Sequence, residues 1–270
     1  MDIPIDIENS IKRFKKLKND EKAEIITSIL NEIASKKDKN GKNILEKYFD
    51  TKNIIIQIEK VINKDNGKRG NARSDIINGN KIIFFDEAKV GAFYSALLKI
   101  NKRVDLNDDE VLAISYYIHE YIHHLQKRLW KIDITDYYGK IAYIVLETLT
   151  EVLTRRLTIN FLSDIYKNRE LSYFKEIFNR KGAYKKTTDY FNKFFDDLDR
   201  KDIFDKIGKM LQTIDDPNDK DPKENIVESL LVIINERLEK VKKLHETDIV
   251  NILVGEKTLS DILERKIKES

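Results

Sequence analysis

The chain has 270 residues, enough for one large domain or two small ones with a real core. Its 50 basic and 47 acidic side chains leave a formal net charge of +3, so 36% of the residues are charged yet no sign dominates, a balance that points to solvated helix faces and not to the concentrated basic footprint of a nucleic-acid or membrane-surface binder. There is no cysteine, so disulfides and thiolate metal ligands are out, and a zinc site would have to use His, Asp and Glu.

The N-terminal residues Met1-Asp2-Ile3-Pro4-Ile5 lack the basic start and apolar run of a signal peptide. No apolar stretch approaches the roughly 20 residues of a membrane span. These features predict a cytoplasmic address and no membrane partner. Residues 8–35 carry apolar positions at helical spacing, including Ile11, Phe14, Leu17, Ile26, Leu30 and Ile33. They predict two helices broken near Asn19-Asp20. The basic run Lys12 to Lys18 fits the solvated face of such a helix. Lys36 to Gly41 reads as a loop. Residues 53–62 are β-branched and short and predict a strand; Lys81 to Phe85 predict another. Between them, residues 64–80 are rich in Gly and Asn and read as an irregular loop.

From Glu87 the pattern is helical. One helix is expected at 87–102, a second at about 108–130 and a third at about 138–164. Asn107, three residues before Glu110, has capping-box spacing at the start of the second. A turn at Asp215-Asp216-Pro217-Asn218-Asp219 and an amphipathic helix near 224–244 fall in a helical last third. The expected organisation is an N-terminal helical segment at 1–50, a core at 51–165 and a helical C-terminal lobe at 166–270. The fold class is α+β, mostly α.

Three of the four histidines, His119, His123 and His124, fall within six residues. On a helix, positions i and i+4 share a face about 6 Å apart, the separation two ligands of one tetrahedral ion require. Glu120 follows the first of them, completing an HExxH pattern in which the carboxylate serves as general base for a metal-activated water. Val111, Ile114, Ile118, Tyr121, Ile122, Leu125 and Leu129 give this helix a stripe expected to be buried. His124 is turned 100° from His123 and reads as a packing residue or a support behind a ligand; His245, in a charged helix end, reads as solvent-facing. Glu147 follows His123 by 24 residues, on a helix apolar at Ile141, Ala142, Val145, Leu146, Leu149, Val152 and Leu153. A narrow polar stripe holds Tyr143, Glu147, Thr150, Glu151, Thr154 and Thr158. A carboxylate on a buried helix costs several kcal/mol without compensation, which a divalent cation would supply. An ion pair with Lys140, Arg155 or Arg156 is the other way to compensate it.

HExxH on one helix and Glu-x-x-x-Glu on the next resemble the gluzincin branch of the zincin metallopeptidases over roughly residues 80–165. The resemblance implies a zincin-like core with a small sheet and an active-site helix. It implies Zn2+ held by His119, His123 and Glu147, with Glu120 as general base and Glu151 as the acid supporting a ligand histidine. Two positions depart from the family's usual pattern: Leu146 stands where Asn often precedes the ligand Glu, and Glu151 where Asp often follows. Glu151 as the ligand, 28 residues after His123, stays open. The resemblance also implies a substrate-binding edge strand, for which Ile82–Phe85 is the candidate. An oxyanion donor is expected among Tyr143, Tyr184 and Tyr190. The implied activity is hydrolysis of a peptide or protein substrate. An inactive zincin-like metal binder and a metal-free helical interaction module are the alternatives.

Overall fold

The computed structural model describes residues 5–35, 54–62, 69–125, 137–166 and 171–181, and beyond them residues 231, 232, 235, 243–245, 247, 248, 251 and 262. The expected loop at 36–41, the turn at 215–219, nearly all of the helix at 224–244, Leu129, Tyr184 and Tyr190 lie outside these. Among the described residues the chain is mostly helical with one three-stranded sheet, an α+β architecture. No helix among them is long and apolar enough to cross a membrane. The chain forms two compact units, Met1–His124 with Arg155–Arg180, and Leu125–Thr154 with Lys181–Ser270.

In the first unit, α1 (Ile5–Phe14) and α2 (Asn19–Ser35) flank the expected break. The Lys18 N–H donates to the Glu21 carboxylate at 2.8 Å, which satisfies a backbone donor at the mouth of α2. Phe14 is buried and stacks on Tyr94, while Lys12, Arg13, Lys15 and Lys16 are exposed, so the basic run is a solvated face.

The sheet has the order β1-β3-β2, with β1 (Ile54–Glu59) parallel and β2 (Ala72–Ile77) antiparallel to β3 (Asn80–Asp86). Two sequence expectations change here. Residues 72–77, expected inside an irregular loop, are a strand closed onto β3 by the two-residue turn Asn78-Gly79. Both turn residues have positive φ, 52° and 80°, the conformation for which an Asn-Gly pair is selected in tight hairpins. The second change concerns the edge strand. Ile82–Phe85 is central, with both backbone edges used by its neighbours, and all four side chains are buried. A strand covered on both faces reads as a continuous apolar run, as this one does. The edges of the sheet are β1 and β2.

Ile54, Ile56 and Ile58 alternate with the more exposed Ile55, Gln57 and Glu59, so one face of β1 is buried, and α2 packs against this strand. Phe85 stacks on Phe93 of α3 (Val90–Lys102), and Phe93 in turn on Tyr117 of α4 (Asp108–Leu125). On the other face Val61, Ile82 and Phe84 form a small cluster, and the Arg73 guanidinium lies 3.8 Å from the Phe84 ring centroid. At the end of β3 the buried Asp86 carboxylate accepts hydrogen bonds from Arg69 Nε, the Val61 N–H and the Ala88 N–H. Burial alone would push this carboxyl up, but those donors outweigh it and hold it below its ordinary value.

Helix α4 starts as its sequence predicts. The Glu110 N–H donates to Asn107 Oδ1 at 3.0 Å and the Asn107 N–H to Glu110 Oε2 at 2.7 Å, a reciprocal capping box. The same carboxylate is buried and takes hydrogen bonds from Ser95 Oγ and Lys99 Nζ of α3. Helix α5 (Tyr137–Ile165) covers the expected third helix, and its C-terminal half in the first unit adjoins α6 (Leu171–Lys181), where Arg155 lies over the Phe178 ring.

Candidate metal centre

The HExxH segment occupies the last two turns of α4. Val111, Ile114, Ile118, Tyr121 and Ile122 are buried, as the stripe requires, whereas Leu125 at the helix end is 38% exposed. Burying that stripe fixes the rotation of the helix. His119, Glu120 and His123 then fall on its half-buried side. The His119 and His123 rings meet at 80°, with their Nε2 atoms 3.1 Å apart.

His124, one residue on, behaves differently. It is fully buried, and its Nε2 lies 3.1 Å from the Ile82 carbonyl of β3. A carbonyl only accepts, so Nε2 carries the proton of a neutral ring. Desolvation lowers its pKa to about 4. It pins α4 to the centre of the sheet, the packing role that its 100° offset from His123 implied.

Glu147 is on α5 and is 7% exposed. One ligand atom each from His119, His123 and Glu147 lies within 4.8 Å of the others. Of the sequence-predicted ligands, these three are brought together. Glu151, one turn further along α5, is also buried but is not part of this group, nor is the exposed His245. The threonines of the polar stripe are buried too: Thr150, Thr154 and Thr158 are each at 0% exposure. Tyr143 is half-buried, four residues before Glu147.

The donor set suits zinc. Two imidazole nitrogens and a carboxylate oxygen are borderline and hard donors, the combination of three-ligand catalytic zinc sites with an open fourth position. Zn–N bonds of about 2.05 Å at tetrahedral angles separate two nitrogens by about 3.3 Å. The observed 3.1 Å needs little adjustment.

One residue of this region was missed by sequence reasoning. Ser74, on β2, donates its hydroxyl to Glu120 Oε2 at 2.8 Å. The signal that could have placed it was the Asn78-Gly79 turn, which implies a strand before it as well as after it. Comparison of the chain with the families of known proteins, with curated proteins and with solved structures finds no match.

Proposed function

We propose that the chain is a zinc-dependent metallopeptidase with a zincin-like core. His119, His123 and Glu147 hold the ion, and Glu120 is the general base. The observation that carries this reading is the convergence of the three ligand atoms within 4.8 Å, from the two helices whose motifs resemble a gluzincin's. A bound cation would add to whatever compensates the desolvation of a buried carboxylate.

When bound, zinc supplies Lewis acidity, polarising a scissile carbonyl and making water a better nucleophile at neutral pH. The remaining work falls to the chain. Glu120 accepts the proton that water releases as its oxygen bonds to the carbonyl carbon, and passes that proton to the amine nitrogen as the C–N bond breaks. Glu151, buried one turn beyond Glu147, is assigned to fix the tautomer of a ligand histidine. Tyr143 on the polar stripe is the candidate oxyanion donor among the described residues.

The test is hydrolysis of an unstructured protein by the zinc-loaded chain beside Glu120→Gln. Cleavage by the wild type and a loss of about 100-fold or more in the variant would support the reading. Zinc binding without Glu120-dependent cleavage would leave an inactive metal-binding protein on a peptidase-like frame.

A further inference from the structure

Among the described residues, the Glu120 side chain has a single hydrogen-bonding partner, and it comes from the sheet: Ser74 Oγ, 46 residues away in sequence. A glutamate on a half-buried helix face has three side-chain torsions to settle, and a nearby cation would draw its carboxylate inward as an extra ligand. A base that coordinates the ion in that way cannot collect a proton. Ser74 opposes this. Its side chain is short and its backbone is held in place, paired opposite the fully buried Ile83 of β3 within a hairpin closed by Asn78-Gly79. The hydroxyl engages Oε2 only, which leaves Oε1 as the oxygen that meets a proton.

Resting on the reading of Glu120 as general base, we propose that Ser74 is a positioning residue, which anchors the Glu120 carboxylate by one oxygen and keeps it beside the His119/His123 pair but outside the ligand set. The hairpin turn, the edge strand and the motif helix thus act together on one carboxylate. A contact that only tethered β2 to α4 would leave turnover alone.

The experiment compares the full zinc-reconstituted chain as wild type, Ser74→Ala and Ser74→Thr. Threonine keeps the hydroxyl and suits a strand. The first readout is the Glu120 side-chain carboxyl resonance in protein labelled with 13C-glutamate, identified by its loss in Glu120→Gln. It should move in Ser74→Ala and return in Ser74→Thr. The second is turnover of a fluorogenic peptide mixture. Ser74→Ala should lower kcat about 10-fold with KM and zinc content unchanged, the effect of losing one hydrogen bond to a charged group. Ser74→Thr should recover kcat to within about threefold. A resonance that stays put in Ser74→Ala overturns the inference, as does an unchanged kcat or a loss that follows zinc content. A wild type that cleaves nothing overturns the peptidase reading instead, and the resonance comparison still decides whether Ser74 holds the carboxylate.

Discussion

Replacing Lys99 by Met removes the cation from a carboxylate that is almost fully enclosed. Lys99 Nζ lies 2.8 Å from Glu110 Oε1 and 2.9 Å from Oε2, with the two side chains 3% and 4% exposed. Breaking such a pair from one side costs about 3–5 kcal/mol, because the remaining charge stays buried. Glu110 would keep two donors, Ser95 Oγ and the Asn107 N–H. This places the expected loss at the lower end, about 3 kcal/mol, against a typical total of about 5–15 kcal/mol. Methionine preserves most of the stem volume, so cavity formation adds little. The double variant Lys99→Met/Glu110→Gln should return to within about 1 kcal/mol of wild type, since the amide oxygen still caps α4 and no charge is buried. Urea unfolding followed by far-UV circular dichroism gives both values, with an unchanged slope showing that stability alone has moved. A single variant costing under about 1 kcal/mol, or a double variant worse than the single, would refute the reasoning. The pair matters for the site because it fixes the first turn of α4 at Glu110, nine residues and about 13.5 Å before His119.

Asp86 carries the acid sensitivity. Its folded-state pKa is lowered, so the stability it adds is fully present above the ordinary carboxylate range and is lost as pH falls through the folded value. The urea midpoint should drop on acidification below about pH 4, and Asp86→Asn should be less stable at pH 7 and show a shallower drop. Glycine substitutions should have opposite signs at two positions where an added Cβ meets nothing within 4 Å. Gly79→Ala, at φ +80°, should cost about 1–2 kcal/mol. Gly91→Ala, in the first turn of α3, should stabilise by about 0.5 kcal/mol. Thermal unfolding of both variants checks the pair of signs. His124→Ala should cost about 2–4 kcal/mol through its cavity and the lost bond to Ile82 yet retain zinc, whereas His123→Ala should lose zinc; calorimetry and metal analysis separate these effects.

The helical part of the site was legible in the sequence for a local reason. Spacing of i and i+4 puts His119 and His123 on one face whatever else the chain does, and Asn107 with Glu110 announces where that helix begins. Glu147 stood out as a carboxylate on a helix apolar over most of its circumference, and it is buried. The sheet was harder. Its strand order depends on pairings across the chain, which local spacing does not encode, so the edge strand that the resemblance implied was assigned to Ile82–Phe85, which lies at the centre. β2 hid because Arg73, Ser74 and Asp75 are polar. Two of them have partners elsewhere in the fold: Arg73 pairs with Glu59, as well as with Asp75 beside it, and Ser74 with Glu120. The Asn-Gly turn was the one local clue to this strand. Ser74 as the partner of the Glu120 carboxylate followed from it only once the hairpin was in place.

The most direct test of the metal site is the zinc content of the purified, reconstituted chain beside single alanine variants of His119, His123 and Glu147, with Glu120→Gln as the control that keeps all three ligands. The wild type and Glu120→Gln should each hold one zinc per chain, and each of the three ligand variants should lose it. A wild type that holds no zinc, or a Glu147→Ala variant that holds as much as the wild type, would contradict the three-ligand site.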